Sequence, residues 1–151
     1  MIDGVAIAEL KQFHDDRGYL VEVLKEGTPL YRQVKQTTFT EAYPGTIKAF
    51  HWHKKQTDIW FFCRGMAQVV LYDLREESPT RGETQVVILG EKSPKLLSIP
   101  PGVAHGYRVL GNETACLFYH TTEAYDPKNP DEERVPWDDS GIGFDWTTQP
   151  R

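Results

Sequence analysis

The stretch Thr46-Ile47-Lys48-Ala49-Phe50-His51-Trp52-His53 decides how this chain folds. It is rich in β-branched and aromatic residues and follows the turn pair Pro44-Gly45, so it predicts a strand. In a strand, residues i and i+2 point to the same side. Both imidazoles therefore face one way and Trp52 the other. Alone, such a His-x-His pair is more often a pair of satisfied core or surface histidines than a metal or catalytic pair.

Outward from that stretch the chain repeats the same style. Short β-rich runs cover Tyr19–Leu24, Tyr31–Thr38, Thr46–His53, Asp58–Cys63, Ala67–Leu74, Thr84–Leu89, Lys95–Ile99, Ala104–Leu110 and Thr114–Thr122. Turn signals separate them: Pro44-Gly45, Arg64-Gly65, Gly82, Gly90, Pro100-Pro101-Gly102 and Gly111-Asn112. No long window keeps a helical apolar period. The pattern predicts an all-β sandwich or barrel of antiparallel sheets, in one domain without repeats or linkers.

The segment from Tyr125 to Arg151 differs. It carries four prolines, the acidic run Asp131-Glu132-Glu133, and the large apolar residues Trp137, Phe144 and Trp146. A disordered tail would not normally hold two tryptophans. It reads as an ordered irregular arm over the barrel, with its charges facing water and its rings pinned down.

Composition narrows the function classes. At 151 residues, with 39% hydrophobic and 26% charged, the chain is neither disordered nor fibrous. A net charge of −5 gives no long-range pull on nucleic acid or an anionic membrane, so any bound phosphate needs a few local cations. No apolar run approaches the roughly 20 residues that span a bilayer. The opening MIDGVAIAELKQ has no signal-peptide pattern. Cys63 and Cys116 sit in apolar runs and read as buried reduced thiols, which fits the cytoplasm.

The spacing Gly45, His51, His53, Asp58, Gly65, followed by Pro100-Pro101-Gly102-Val103-Ala104-His105, resembles the two cupin motifs, with Asp58 in place of glutamate. The resemblance implies a cupin-type jelly roll, a double-stranded β-helix in which His51, His53, Asp58 and His105 converge in one pocket. Three imidazoles and a carboxylate suit Zn, Ni, Fe or Mn.

Six further segments, in order, resemble the dTDP-4-dehydrorhamnose 3,5-epimerase family. They are Phe13-His14-Asp15-Asp16-Arg17-Gly18-Tyr19-Leu20-Val21-Glu22, Lys48-Ala49-Phe50-His51, Val70–Arg75 with Ser78–Gly82, Ile99–Tyr107, Tyr119 with Tyr125-Asp126-Pro127, and Trp137–Trp146. The resemblance implies a cytoplasmic homodimer that acts on a nucleotide-linked 4-keto-6-deoxy sugar. The ketone acidifies the neighbouring C–H bonds, and an enolate forms and is reprotonated on the opposite face. His51 then matches the base and Tyr119 the acid. Arg17 and Lys48 match cations that hold the diphosphate. Tyr19 and Glu22 match residues that meet the nucleotide base across the dimer. Tyr125 and His105 match pocket residues. That chemistry requires no cofactor, nucleic acid or membrane.

Three departures leave alternatives open. Asp58 stands where the family has a lysine beside the enolate oxygen, and a carboxylate there is repulsive. The C-terminal aspartate that orients the family base has no counterpart in Trp146-Thr147-Thr148-Gln149-Pro150-Arg151. His53 replaces a glutamine. Together these complete a metal shell, but a metal-bound His51 could not serve as base; Tyr119, Lys54 or Lys55 would then move the proton. The string His51-x-His53-Lys54-Lys55 also resembles sugar 3,4-ketoisomerases. A metal-dependent cupin with another small substrate and a non-catalytic sugar-nucleotide binder complete the alternatives.

Overall fold

Two five-stranded antiparallel sheets face each other across the core in the computed structural model, which describes residues 1–148. One sheet runs in the order β1 (Ala6–Glu9), β9 (Lys95–Ile99), β6 (Asp58–Arg64), β11 (Ala115–Thr121) and β4 (Gln36–Ala42). The other runs β12 (Glu133–Arg134), β5 (Ile47–Trp52), β10 (Val103–Leu110), β7 (Met66–Asp73) and β8 (Thr84–Gly90). A separate hairpin joins β2 (Gln12–Asp15) and β3 (Gly18–Val21). This is the antiparallel sandwich that the strand pattern predicts and the jelly roll that the cupin resemblance implies. No helix among the described residues is long and apolar enough to cross a membrane.

Eight of the nine expected runs become strands within a few residues. The exception is Tyr31–Thr38: pairing with β11 starts only at Gln36, and the preceding residues lie over the outside of the first sheet. There Leu30 joins Ile59, Phe61 and Leu96 in a small outer cluster. Strands β1, β2 and β12 are too short to carry a recognisable period of two.

Inward-facing residues of both sheets form the main core, including Val69, Leu71, Leu89, Leu97, Ile99, Val109 and Leu117. A third layer covers the outer face of the second sheet. Here the C-terminal arm packs Val135, Ile142, Phe144 and Trp146 against Phe50, Val70 and Ala104. Trp52 joins this layer, as its alternation with His51 and His53 requires. The ordered arm is therefore present through residue 148, and the last three residues of that expectation lie outside the described ones. One anchor is corrected. Trp137 remains 52% exposed; its backbone carbonyl accepts the Trp146 Nε1–H at 2.9 Å, so Trp146 is the ring that pins the arm. Cys63 and Cys116 are free thiols, Cys116 buried and Cys63 half-buried.

Candidate active site

The open end of the sandwich holds a cavity of about 510 Å³, within the range of small-molecule sites. The first sheet contributes Asp58, Trp60 and Tyr119, and the second contributes Lys48, His51, His105 and Tyr107. Cross-strand register explains the grouping. His51 lies opposite His105, and Tyr119 opposite Trp60, so each pair shares one face of its sheet.

Lys48 and His51 are three apart, and in a regular strand they would point to opposite sides. The pairing His105 to His51 and Tyr107 to Lys48 sets three steps on β5 against two on β10, a β-bulge. The extra residue turns both Lys48 and His51 into the cavity. The bulge needs Gly106: a Cβ there would lie 2.6 Å from Ala49 Cα and 2.8 Å from the Lys48 carbonyl.

The acidic run in the arm does not simply face water. The Asp131 carboxylate accepts the backbone N–H groups of Lys54, Lys55 and Gln56 at 2.8, 3.0 and 2.9 Å. Burial works to raise the Asp131 pKa, but these three donors outweigh it and hold the group below its ordinary value. This clamp fixes Glu132 beside His51. His51 Nδ1 and Glu132 Oε1 are 3.0 Å apart, and Arg134 Nη2 donates to Glu132 Oε2 at 3.2 Å. Burial pushes Glu132 up; His51 and Arg134 overcome that and keep its carboxyl low. A carboxylate only accepts, so His51 carries its proton on Nδ1 and leaves the Nε2 lone pair free. The acidic run that the sequence reading assigned to solvent thus supplies the carboxylate that meets His51.

His53, Asp58 and His105 form a separate buried triad, with ligating atoms within 4.8 Å of one another. His51 stands outside it, which corrects the four-ligand set that the cupin motifs implied. Burial, with His53 and His51 adding, lowers His105 to about 4 despite the opposing pull of Asp58. Burial also raises Tyr107 to about 12, so its hydroxyl stays protonated at neutral pH.

The other expected residues divide. Lys48 reaches the cavity, its Nζ donating to Thr40 Oγ1 at 3.1 Å and the Glu41 carbonyl at 3.0 Å. Tyr125 lies at the rim, 61% exposed. Arg17, Tyr19 and Glu22 do not line the cavity. Arg17 pairs with Asp15 at 2.6 Å and Glu22 with Lys25 at 3.0 Å, all exposed. Lys54 points outward to Glu133 at 2.7 Å, and neither it nor Lys55 lines the cavity. Sequence reasoning missed Glu132, Arg134, Gln56, Trp60 and Tyr107. Period-2 alternation from His105 and Asp58 points to Tyr107 and Trp60, whereas nothing in the sequence pattern marks Glu132.

A jelly roll with histidines from both motifs at the mouth of its barrel defines a cupin. Within that class the chain belongs to the dTDP-4-dehydrorhamnose 3,5-epimerase family, whose model matches residues 1–151. It is 54% identical over 149 residues, covering 99% of both chains, to the spore coat polysaccharide biosynthesis protein SpsL of Bacillus subtilis. It is 35% identical over 150 residues, covering 98% of this chain and 96% of the other, to the probable low-salt glycan biosynthesis epimerase Agl13 of Haloferax volcanii. A solved dTDP sugar isomerase from Desulfovibrio desulfuricans superposes with a TM-score of 0.90 at 32% identity, covering 96% of this chain and 92% of that one. The family is one of isomerases, and the epimerase reading stands ahead of the alternatives left open by the sequence.

Proposed function

We propose that this protein epimerises a dTDP-linked 4-keto-6-deoxy sugar at C3, C5 or both. The observation that carries the reading is the His51–Glu132 pair in the cavity that Tyr119 also lines. His51 Nε2 takes the proton from the carbon next to the ketone, and the C–H electrons move into the enolate. The ionised Glu132 stabilises the imidazolium that results. The Tyr119 hydroxyl delivers a proton to the opposite face, and Tyr107 lines the same cavity. These transfers need no cofactor.

Lys48 is the cavity cation suited to the diphosphate. Arg17, Tyr19 and Glu22 serve the nucleotide of a neighbouring subunit in a homodimer. Their place on a hairpin whose Phe13, Tyr19 and Leu20 are exposed supports that assignment. Free thiols support a cytoplasmic setting.

Incubation with the 4-keto sugar nucleotide in heavy water tests the reading. Solvent deuterium enters C3 or C5 with the wild type, and His51→Asn abolishes it. Tyr119→Phe lowers inversion by about 10²- to 10⁴-fold while deuterium still washes into unchanged substrate, because the imidazolium can return the proton to the same face. No deuterium uptake by the wild type would overturn the proposal.

A further inference from the structure

Tyr107 carries a hydroxyl that the protein itself leaves unused. On β10, His105, Tyr107 and Val109 share the inward face, and Val109 already belongs to the apolar core. The phenol is therefore the last polar group on that strand before the apolar core begins. Tyr107 is 4% exposed, and its hydroxyl makes no hydrogen bond among the described residues. The oxygen is not sealed off, so it opens on the cavity that the residue lines. A buried hydroxyl without a partner is costly, which points to a partner that arrives with a ligand.

Neighbouring rings hold the phenol in one direction. Trp60 meets it edge-on at 5.8 Å and 88°, and Phe62 at 5.2 Å and 81°. The bulge sets Lys48 opposite Tyr107 and His51 opposite His105, so the phenol shares a sheet with His51, one step deeper. The other donors of the cavity are engaged. Trp60 Nε1 and the Gln56 amide both donate to Asp58, at 3.1 and 2.7 Å. His53 and His105 direct their Nδ1–H groups to the carbonyls of Asp131 and Val103. Lys48 is held by Thr40 and the Glu41 carbonyl, and Arg134 by Glu132. The Thr38 hydroxyl accepts from Gln36 at 3.1 Å and lies opposite Tyr119 in the other sheet, beside Tyr119 rather than His51.

Removing a proton beside a ketone moves the C–H electron pair toward the ketone oxygen, and that oxygen needs a donor fixed in advance. An ionised Asp58 only accepts and cannot serve. We infer that the Tyr107 hydroxyl donates a hydrogen bond to the C4 oxygen of the sugar as the enolate forms. His51 Nε2 takes the proton from carbon, and Tyr107 steadies the negative oxygen while keeping its own proton. The electrons return to carbon as Tyr119 protonates it. A phenol suits this task, because it is a neutral donor at neutral pH. Burial away from water strengthens its bond to a charged acceptor. The inference rests on the epimerase reading and adds a third catalytic residue to it.

The test compares Tyr107→Phe with the wild type and with Tyr119→Phe, using the 4-keto sugar nucleotide in heavy water. Tyr107→Phe is expected to slow deuterium entry and inversion by one common factor, about 10²- to 10³-fold, with KM nearly unchanged. In Tyr119→Phe the two rates part, because the enolate still forms. The hydroxyl has no partner in the protein, so Tyr107→Phe keeps its Tm within about 2 °C and keeps its affinity for dTDP. Exchange by Tyr107→Phe within about threefold of the wild type overturns the inference and leaves the epimerase reading standing. A loss of exchange that comes with a lower Tm or weaker dTDP binding also overturns it, by marking a structural role. No exchange in the wild type overturns the epimerase reading itself, and the inference with it.

Discussion

Glu132 determines what His51 can do. Its carboxylate fixes the proton on Nδ1 and is held in place by Arg134. Replacing it by glutamine removes the charge that favours the imidazolium and permits the wrong tautomer. Glu132→Gln is expected to slow deuterium exchange by about 10²- to 10⁴-fold with little change in KM, because the group contributes as the proton moves. Comparable losses in rate and KM would instead mark Glu132 as a substrate-binding residue. Asp58 works differently. Its sequence position made it look like a damaged lysine site, but its two oxygens each face a histidine. Its meaning lies in the partners it meets.

At the scale of the element, the bulge between β5 and β10 does the positioning. It brings Lys48 and His51 to the same side, and Gly106 makes room for it. Gly106→Ala is expected to destabilise the protein by about 2–3 kcal/mol through overpacking, seen as a lower urea midpoint. Adding Ala49→Gly should not rescue it, since the Lys48 carbonyl and Ala49 Cα would still lie within 2.8 Å of the new Cβ. Full rescue would show that only the Ala49 methyl matters. The two-residue strand β12 matters through pairing: Arg134 lies opposite His51 and Glu133 opposite Trp52, which delivers the arm to the site.

Across the whole molecule, Asp73 ties the N-terminal segment to the sandwich. It is fully buried and accepts from Arg75 Nε at 2.8 Å, Ser78 Oγ at 2.6 Å and Thr80 Oγ1 at 2.7 Å, while Arg75 Nη2 donates to the Asp3 carbonyl at 2.7 Å. Burial alone would raise its pKa, but these donors hold it far below the ordinary carboxylate range. A lowered folded pKa stabilises above the unfolded value of about 3.9, and that contribution is lost as pH falls through the folded value. Asp73→Asn is therefore expected to cost about 3 kcal/mol at neutral pH. In denaturation at several pH values, the gap from wild type stays constant between about pH 7 and 5 and narrows below about pH 4. A gap that widened on acidification would contradict this assignment. The segment containing Asp73, Arg75, Ser78 and Thr80 was legible as a family resemblance; its own bonds make it a fastening.

The amino-acid sequence by itself determined an antiparallel sandwich of short strands, and its resemblance to the cupin motifs implied the one pocket that His51, His53, Asp58 and His105 line. Alternation with period two and turn residues at short intervals are local signals, and strand pairing converts them directly into a shared inner face. Only the tertiary structure decided that Glu132 meets His51, that His51 stands outside the cluster of His53, Asp58 and His105, and that Arg17, Tyr19 and Glu22 lie outside the cavity. The His51–Glu132 contact spans 81 residues and depends on how an irregular arm docks. Such docking is set by the burial of Trp146 and the capping of three N–H groups by Asp131, neither of which leaves a periodic trace in the chain.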